Sequence, residues 1–498
     1  MGVSGHFASE VILRDCEMFQ CSSGFFMRGH DVLVERVFCH DNIVHNTSPH
    51  PFLVDVRRAV LRSSVFDASG WHASAGTMGI MLGDIHGLII RNSHFRNQPD
   101  SGSHDEGGID FENRGNGCLI DRCTFENNAG AAIEVLGLQT PQTTNIEIRD
   151  SKFIQNNVAK KLGPAEIFVW GRVKDPSICC STGLVRGNGY VLLPGVEFFV
   201  NEAPKMTSWT LRENKAFASV AEIDRAMPLN RPPAVKAGAD VHTNARVVTL
   251  AGAASDDGLP AGKKLLTTWE VLEGPGAVTF DDDHAPATNA RFETEGDYVL
   301  RLVADDGELW TSDRVAVHVT KAGTKVLAAW EFNRNHDKEG WSEADLGTRV
   351  KRWANKDWPT ESHPVKHVAG GFYTVAIEKS PAENNPAANS PAARLVSGDN
   401  LNVELSGREK LVLRMQNQTP ATAMRVAFAT RAETAWKEEN RVEFAVTPND
   451  HQVRTYTVDL SQAAGWKGTL KQLRIDLATG QPLTGTCRID WVWVVREE

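Results

Sequence analysis

Short segments of alternating apolar and polar residues recur through the first part of the chain, and Gly, Asn and Asp separate them. The clearest segment resembles Ile-x-Arg/Asp-Ser/Cys-x-Phe, and successive copies begin 21 to 30 residues apart. Alternation with period two is typical of β-strands, whereas a helical stripe would need a period of about 3.6. Repeats of this length indicate stacked units that bury their apolar faces against one another. The copies begin at Leu13, Val34, Leu61, Ile90, Ile120 and Ile148.

A second alternating segment precedes most copies by about ten residues. Two or three short strands per repeat predict an all-β fold that begins with a right-handed parallel β-helix over residues 1–229. Cys16 and Cys123 occupy the position where other repeats have Ser, which predicts small, packed thiols. The repeat weakens after Cys180. These second segments begin at Phe52, Ile80, Ile109, Ile133 and Ile167.

The chain enters its first repeat almost at once, without a basic region followed by an apolar stretch. Because a solenoid needs a cap at each end, we expect further β-helix rungs to be missing upstream. The sequence holds no apolar run of the roughly eighteen residues needed to span a bilayer. We therefore expect no membrane partner.

A proline pair in Asn230-Arg231-Pro232-Pro233 marks the start of a second unit, residues 230–320. Its short strands have the spacing of a β-sandwich. Ala254-Ser255-Asp256-Asp257-Gly258, Trp269-Glu270-Val271 and Ala304-Asp305-Asp306-Gly307 resemble PKD-like immunoglobulin-type modules, which implies a spacer. The aspartate pairs could chelate calcium or, more commonly, form turns.

Residues 325–498 hold eight of the thirteen tryptophans. Trp330-Glu331-Phe332-Asn333, Leu473-Arg474-Ile475-Asp476 and Ile489-Asp490-Trp491 resemble the jelly-roll modules that bind carbohydrate. The resemblance implies that some indoles stack on sugars, while others form the core.

Acidic residues outnumber basic ones, 63 Asp and Glu against 53 Lys and Arg. This balance argues against a nucleic-acid partner, since phosphate binding needs a concentrated basic face. It suits a neutral or cationic ligand. Eight cysteines without CxxC spacing predict no disulfide framework and no structural zinc.

Three acidic residues are candidates for catalysis. If Ile109 points into the solenoid, Asp110 and Glu112 point outwards, and alignment of the repeats places Glu134 beside Asp110 on a rung about 4.8 Å away. Stacked like charges are unfavourable unless a proton, cation or substrate intervenes. Two carboxyl groups with separated pKa values can perform glycoside hydrolysis.

Residues near this cluster are candidates for substrate binding. His104, Asp105 and Glu106 precede two glycines that permit close backbone approach, and His72 and Trp170 could line the same groove. His40, His45 and His50 lie on loops of preceding rungs and are further candidates for that groove.

The stretch from Asp105 to Glu112 resembles right-handed β-helix proteins of the pectin-lyase-like superfamily, which contains polysaccharide lyases and glycoside hydrolases. The polygalacturonase motifs of that superfamily are absent here, so the resemblance implies a fold and a substrate class without a mechanism.

Three functions remain open at this point. The first is a secreted glycoside hydrolase that uses Asp110, Glu112 and Glu134. The second is a calcium-assisted polysaccharide lyase, and the third is a non-catalytic glycan-binding or adhesion protein. The hydrolase needs no cofactor, whereas calcium stays open for the lyase. We expect a glycan partner, a monomer, and an extracellular or periplasmic location.

Overall fold

The computed structural model shows a chain built almost wholly from β-strands. The predicted all-β class is confirmed. The described strands form one long parallel sheet and several further sheets of two to six strands. The structure describes residues 3–21, 24–42, 52–68, 78–100, 105–136, 143–160, 163–170, 181–202, 207–334, 337–344, 349–351, 362–364, 368–369, 371–377, 394–433, 436–477 and 485–497.

The first part of the chain is a parallel β-helix whose strands pair in three stacks. Its interior is one continuous apolar core that begins at Leu13 and ends at Phe198. A helix, α1 (Val220–Ala226), follows the last coil. The strands are β1 Val3–Ser9, β2 Ile12–Phe19, β3 Phe25–His40, β4 Phe52–Arg62, β5 Val65–Asp67, β6 Ile80–Arg91, β7 His94–Arg96, β8 Ile109–Phe111, β9 Gly115–Asp121, β10 Thr124–Glu126, β11 Ile133–Val135, β12 Thr143–Arg149, β13 Lys152–Ile154, β14 Ala165–Val169, β15 Thr182–Arg186, β16 Gly189–Val191, β17 Glu197–Asn201, β18 Ser208–Arg212 and β19 Lys215–Ala216.

The repeated segment aligns the rungs as the sequence predicts. Each of its six starting residues pairs with the next, from Leu13 opposite Val34 to Ile120 opposite Ile148. The same ladder continues through Val185 to Leu211, beyond the point where the sequence repeat weakens. The coil therefore runs further than its sequence signature.

A column of aromatic rings runs up the core at the Phe position of the repeat. The rings of Phe66, Phe95, Phe125 and Phe153 are stacked nearly parallel, with centroids 4.9, 5.1 and 5.1 Å apart. This separation matches the spacing between rungs, because each ring comes from an equivalent position on the next coil. Offset stacking adds about 0.5–1.5 kcal/mol per pair to the burial of the rings.

The small residue of the repeat joins the rungs by hydrogen bonds at a sharp corner. The amide of Val37 donates to Ser64 Oγ at 3.1 Å, and the amide of Cys123 donates to Ser151 Oγ at 3.0 Å. The residue before each small side chain has a positive φ, for example 48° at Asn92. Cys123 is buried and unbridged, in agreement with a packing role.

One predicted alignment is wrong by a residue. Alignment of the second segments by their first residues predicts Phe52 beside Ile80, but Phe52 pairs with Met81, and Leu53 pairs with Leu82. Both leucines are buried in the core, so their packing sets this register.

Residues after the proline pair form a small β-sandwich around Trp269, Tyr298 and Leu300. The aspartate pairs form turns: Asp257 Oδ1 accepts from the Leu259 amide at 2.9 Å, and Asp306 Oδ1 accepts from the Leu309 amide at 2.8 Å. The PKD-like identity of this unit stays a prediction. The strands are β20 Ala234–Lys236, β21 Val241–Thr243, β22 Val247–Ala251, β23 Ala253–Ser255, β24 Leu266–Glu273, β25 Val278–Phe280, β26 Ala287–Phe292, β27 Gly296–Asp305 and β28 Trp310–Val319.

This sandwich packs against the β-helix. Glu17, a buried β-helix residue, contacts Arg301 at 2.5 Å and Arg314 at 2.6 Å. Beside them Trp310 packs edge-on against Phe38, with ring centroids 5.8 Å apart. The unit therefore contacts the β-helix directly, and its role as a spacer stays a prediction.

The last part of the chain forms two antiparallel sheets over a common apolar core. A short 3-10 helix, Leu460–Gln462, also packs there. No helix among the described residues has the length and apolarity needed to cross a membrane. The strands are β29 Thr324–Trp330, β30 Ser342–Ala344, β31 Arg349–Lys351, β32 Ser362–Pro364, β33 Val368–Ala369, β34 Phe372–Ile377, β35 Arg394–Val396, β36 Val403–Leu405, β37 Glu409–Gln418, β38 Ala423–Thr430, β39 Arg441–Ala445, β40 Arg454–Asp459, β41 Gly468–Asp476 and β42 Gly485–Glu497.

Most described tryptophans of this unit are buried, so they cannot stack on a sugar at the surface. Trp436 is half-buried and lies 4.9 Å from the guanidinium of Arg474. Trp353 and Trp358 lie outside the described residues. The jelly-roll carbohydrate-binding identity stays a prediction. The buried tryptophans are Trp330, Trp341, Trp466, Trp491 and Trp493.

Phe125→Ala should destabilise the β-helix strongly, because it removes the ring that stacks on both Phe95 and Phe153. A fully buried Phe→Ala change costs about 3–5 kcal/mol. Denaturant unfolding followed by circular dichroism measures the loss, and Phe125→Leu should retain most of the stability. A loss below about 1 kcal/mol for the alanine variant would contradict the stacked column.

Glu17→Gln should weaken the docking of the sandwich in a pH-dependent way. Burial raises the pKa of Glu17, but His40, Arg314 and Ser312 outweigh it and lower the pKa from 4.5 to about 2. The charged form therefore stabilises the fold above pH 4.5, on the order of 3 kcal/mol, and this contribution disappears as pH falls towards 2. The difference in unfolding free energy between the proteins should shrink from pH 7 to pH 3. A pH-independent difference would refute this role.

Candidate functional site

Two short strands bring the candidate carboxyl groups together. On β8 and β11, Ile109 pairs with Ile133 and Phe111 with Val135, and all four side chains lie in the core. Side chains alternate along a strand, so the residue between each pair points away from the core. Asp110 is thereby placed opposite Glu134, and the predicted register is confirmed.

The cluster is buried, although its side chains point away from the solenoid core. Asp110 is 2% exposed and Glu134 is fully buried, while Glu112 is half-buried. The sequence predicts these carboxyl groups on the outer face of the β-helix; they do point away from its core, but other residues cover them. An apolar cluster of Ala131, Phe168 and Trp170 lies outside the core on these same rungs, and Phe168 pairs with Glu134.

The Gly107-Gly108 turn lets two rungs approach closely at this point. A Cβ atom at Gly107 would lie 2.0 Å from the carbonyl oxygen of Ala131, which is a severe clash. The amide of Gly108 donates to that same oxygen at 3.3 Å. The expectation that these glycines permit close backbone approach is confirmed. The turn that carries them leads directly into β8, which holds Asp110.

Several buried carboxyl oxygens lack hydrogen-bond partners in the described part of the chain. They are Oδ1 of Asp110 and both side-chain oxygens of Glu134, on which only a weak contact from the Ala131 backbone acts to lower the pKa. Burial holds the pKa of Glu134 well above its usual range, and Asp105, Glu106 and Glu112 raise it further. A buried carboxyl group surrounded by like charges is stable in its neutral, protonated form.

Asp110 and Glu112 form a hydrogen-bonded pair with unequal environments. Burial, then the charge of Glu112, holds the pKa of Asp110 well above normal, and the hydrogen bond raises it again. Burial also raises the pKa of Glu112, but the hydrogen bond opposes this rise. In the pair, Asp110 therefore holds the proton and Glu112 accepts it. Such a pair titrates as one unit.

The predicted substrate-binding residues are only partly gathered here. Asp105 is half-buried and acts electrostatically on both Asp110 and Glu134. Glu106 is fully buried, so it does not present a surface for a ligand in this conformation. Trp170 is half-buried, and its backbone amide donates to the carbonyl of Val135 at 3.0 Å. His72 and His104 lie outside the described residues, as do His45 and His50.

His40 does not belong to this site. It is buried at the end of β3, where Nε2 lies 3.1 Å from Glu17 and Nδ1 lies 2.9 Å from Asp41. It therefore supports the contact with the sandwich. The sequence could not distinguish this position from a groove.

Glu166 was missed by the sequence reasoning. It is fully buried on β14, and its carboxyl group accepts two hydrogen bonds from Asn156, at 3.2 Å from the amide and 2.7 Å from Nδ2. Burial raises its pKa to about 8 against those hydrogen bonds. Asn156 Oδ1 in turn accepts from Asn128, so Glu166 ends a ladder of side-chain amides. This is a structural role.

Glu134→Gln should stabilise the protein increasingly as pH rises. The folded state raises the pKa of Glu134 above 4.5, so wild-type stability is greatest below that pH and declines as pH rises through the folded value. Glutamine has the same shape and cannot ionise, so the difference in Tm should grow by several degrees from pH 4 to pH 8. Glu147→Gln, at a partly exposed carboxylate that lies 2.9 Å from Arg186, is the control for the loss of a carboxyl group outside the buried cluster. A Glu134→Gln difference that falls with pH would contradict the neutral buried acid.

Several solved structures are similar to this chain. The chain is similar to a carbohydrate-binding module of the β-sandwich superfamily, with 14% identity, coverage of 53% of this chain and 98% of that one, and a TM-score of 0.20. It is similar to an alginate lyase from Paenibacillus sp. str. FPU-7, with 11% identity, coverage of 42% and 74%, and a TM-score of 0.25.

A third similar structure is the tailspike protein gp49 of Acinetobacter baumannii bacteriophage Fri1, a capsular polysaccharide depolymerase. It shows 8% identity, coverage of 97% of this chain and 70% of that one, and a TM-score of 0.20. Such low scores assign neither fold nor activity. Residues 2–178 match the family described as right handed beta helix region. This match and the parallel ladders together define this part of the chain as a right-handed parallel β-helix.

Proposed function

We propose that the chain is a polysaccharide-cleaving enzyme, a glycoside hydrolase whose acid–base pair is Asp110 and Glu112. The observation that carries the proposal is the burial of Asp110 opposite Glu134 and close to Glu112, which raises the pKa of both members of the pair. Glycoside hydrolysis needs one carboxyl group that gives a proton and one that takes a proton near neutral pH.

Glu112 is half-buried whereas Asp110 is buried, so the two carboxyl groups differ in their access to a substrate. Glu112 and Asp105 form the partly exposed edge of the cluster, so a substrate would meet Glu112 first. The pair gives its proton to the glycosidic oxygen as the bond to the anomeric carbon breaks. Water then adds to that carbon, and its proton returns to the pair. Glu134, protonated and behind the pair, keeps the local charge low.

The charge of the site favours a neutral glycan. The charges that act most strongly on Asp110 and Glu134 are all carboxyl groups, without a lysine or arginine among them. A uronate would add another negative charge to this surface, and a lyase would also need a base such as Lys or Arg. The hydrolase is therefore favoured over the calcium-assisted lyase.

The modules after the β-helix fit the same role. A docked sandwich and a second β-sandwich of carbohydrate-binding type would raise the local concentration of the enzyme on a polymer. A glycan partner and an extracellular or periplasmic location belong to this proposal.

The activity test is a panel of neutral and uronate-containing polysaccharides, assayed for new reducing ends and for the absorbance of unsaturated uronate. We expect reducing ends from a neutral polysaccharide, without unsaturation and without inhibition by a chelator. Asp110→Asn and Glu112→Gln should each lower kcat by about 10²–10⁴-fold, because each removes one half of the proton-transfer pair. Glu147→Gln should leave kcat unchanged.

Two outcomes would overturn the proposal. Unsaturated products that a chelator abolishes would indicate a calcium-assisted lyase. Retention of a glycan without turnover, equal in wild type and both variants, would indicate a binding protein.

A further inference from the structure

A second cluster of ionisable side chains lies where the first sandwich meets the C-terminal one. His242 on β21 and His318 on β28 are directly opposite each other in a parallel pair, and their rings stack with centroids 4.8 Å apart. Glu331 follows β29, the first strand of the C-terminal unit. Three elements from two modules therefore meet at one point.

The ligand atoms of these residues converge. One atom from each residue lies within 4.8 Å of the others. Nε2 of His242 is 2.6 Å from Glu331 Oε1, and Nε2 of His318 is 2.9 Å from Glu331 Oε2. His318 and Glu331 are buried, and His242 is half-buried. Both imidazoles thus turn the same nitrogen towards one carboxylate.

One of these nitrogens has an unusual environment. Nε2 of His318 is buried and close to Glu331, but it makes no hydrogen bond of suitable direction. At 2.9 Å the nitrogen and the carboxylate form an ion pair when the ring is protonated, and a metal ion would take the place of that proton. A buried imidazole nitrogen that points into a cluster without a directed hydrogen bond is a natural ligand for a cation.

The opposite side of the His318 ring is fixed. Nδ1 of His318 lies 2.9 Å from Asp297 Oδ1, and the other oxygen of Asp297 lies 3.3 Å from Nη1 of Arg414. A carboxylate on the far nitrogen orients an imidazole and makes the near nitrogen a better donor to metal. Trp493 Nε1 likewise donates to Glu331 Oε1 at 2.7 Å, which fixes the carboxylate.

We propose that His242, His318 and Glu331 bind one divalent zinc-class transition-metal ion. Two imidazole nitrogens and one carboxylate are a standard ligand set for zinc, with water in the fourth position. The nitrogen ligands disfavour calcium and magnesium, which take oxygen ligands. The carboxylates of Glu331 and Asp297 together balance the charge of a divalent ion.

The metal joins the two sandwiches across the short connection from Thr320 to Thr324. His242 and His318 belong to the first sandwich and Glu331 to the second, so the ion fixes their relative orientation. A ligand that binds the folded state alone raises its stability. The sequence predicts no structural zinc, because CxxC spacing is absent and the three ligands are distant along the chain.

Isothermal titration of metal-free, tag-free full-length protein with zinc chloride tests this site. We expect one equivalent to bind with micromolar or tighter affinity and to raise Tm by several degrees. His242→Ala and Glu331→Gln should weaken binding at least tenfold and abolish the shift in Tm. The exposed His451→Asn should behave as wild type.

The zinc-edge X-ray absorption of the wild-type complex gives a readout that does not depend on the folding of variants. It should report two imidazoles and oxygen ligands at about 2.0–2.2 Å. Absence of saturable binding near one equivalent would overturn the proposal. Full affinity in both ligand variants, or absorption without two imidazoles, would overturn it as well.

Discussion

The parallel register between rungs is the constraint on which the rest of the β-helix depends. Each residue lies about 4.8 Å from its counterpart on the next coil, so every sequence choice is repeated as a column. The column of phenylalanines from Phe66 to Phe153 and the serine and asparagine ladders make this repetition favourable. The same register places Asp110 opposite Glu134, and the proximity of two carboxyl groups is unfavourable there. Packing of the surrounding columns holds the strands in this register despite the repulsion between the carboxyl groups. Protonation of Asp110 and Glu134 relieves that repulsion.

Buried charge also organises the contacts between modules. Glu17 meets two arginines of the first sandwich, and Glu331 of the last unit meets two histidines of that sandwich. Removing one member of such a group leaves the others buried and uncompensated, which is more costly than the loss of a surface ion pair. The first sandwich is therefore held on both sides, and it transmits the orientation of the β-helix to the C-terminal unit.

Much of the fold could be predicted because equivalent positions on successive rungs of the β-helix carry similar residues. The alignment of the rungs could be predicted from Leu13, Val34 and their counterparts. The register that places Asp110 opposite Glu134 could be predicted from Ile109 and Ile133. The error at Phe52 arose because two adjacent apolar residues allow two alignments, and packing of Leu53 decides between them. Burial of Asp110 could not be predicted, since the alternation along β8 determines only the direction of its side chain and not what covers it. The cluster of His242, His318 and Glu331 could not be predicted either, because residues that meet across two modules have no characteristic spacing along the sequence.

The central claim is that the register creates neutral acids at neutral pH, with the proton of the pair on Asp110. Infrared difference spectroscopy of the carboxyl carbonyl stretch during a pH titration tests it most directly. We predict protonated-carboxyl bands that persist at pH 7, of which one disappears in Asp110→Asn and another in Glu134→Gln. Complete loss of such bands by pH 5.5 in the wild type, or bands unchanged by both substitutions, would contradict the account.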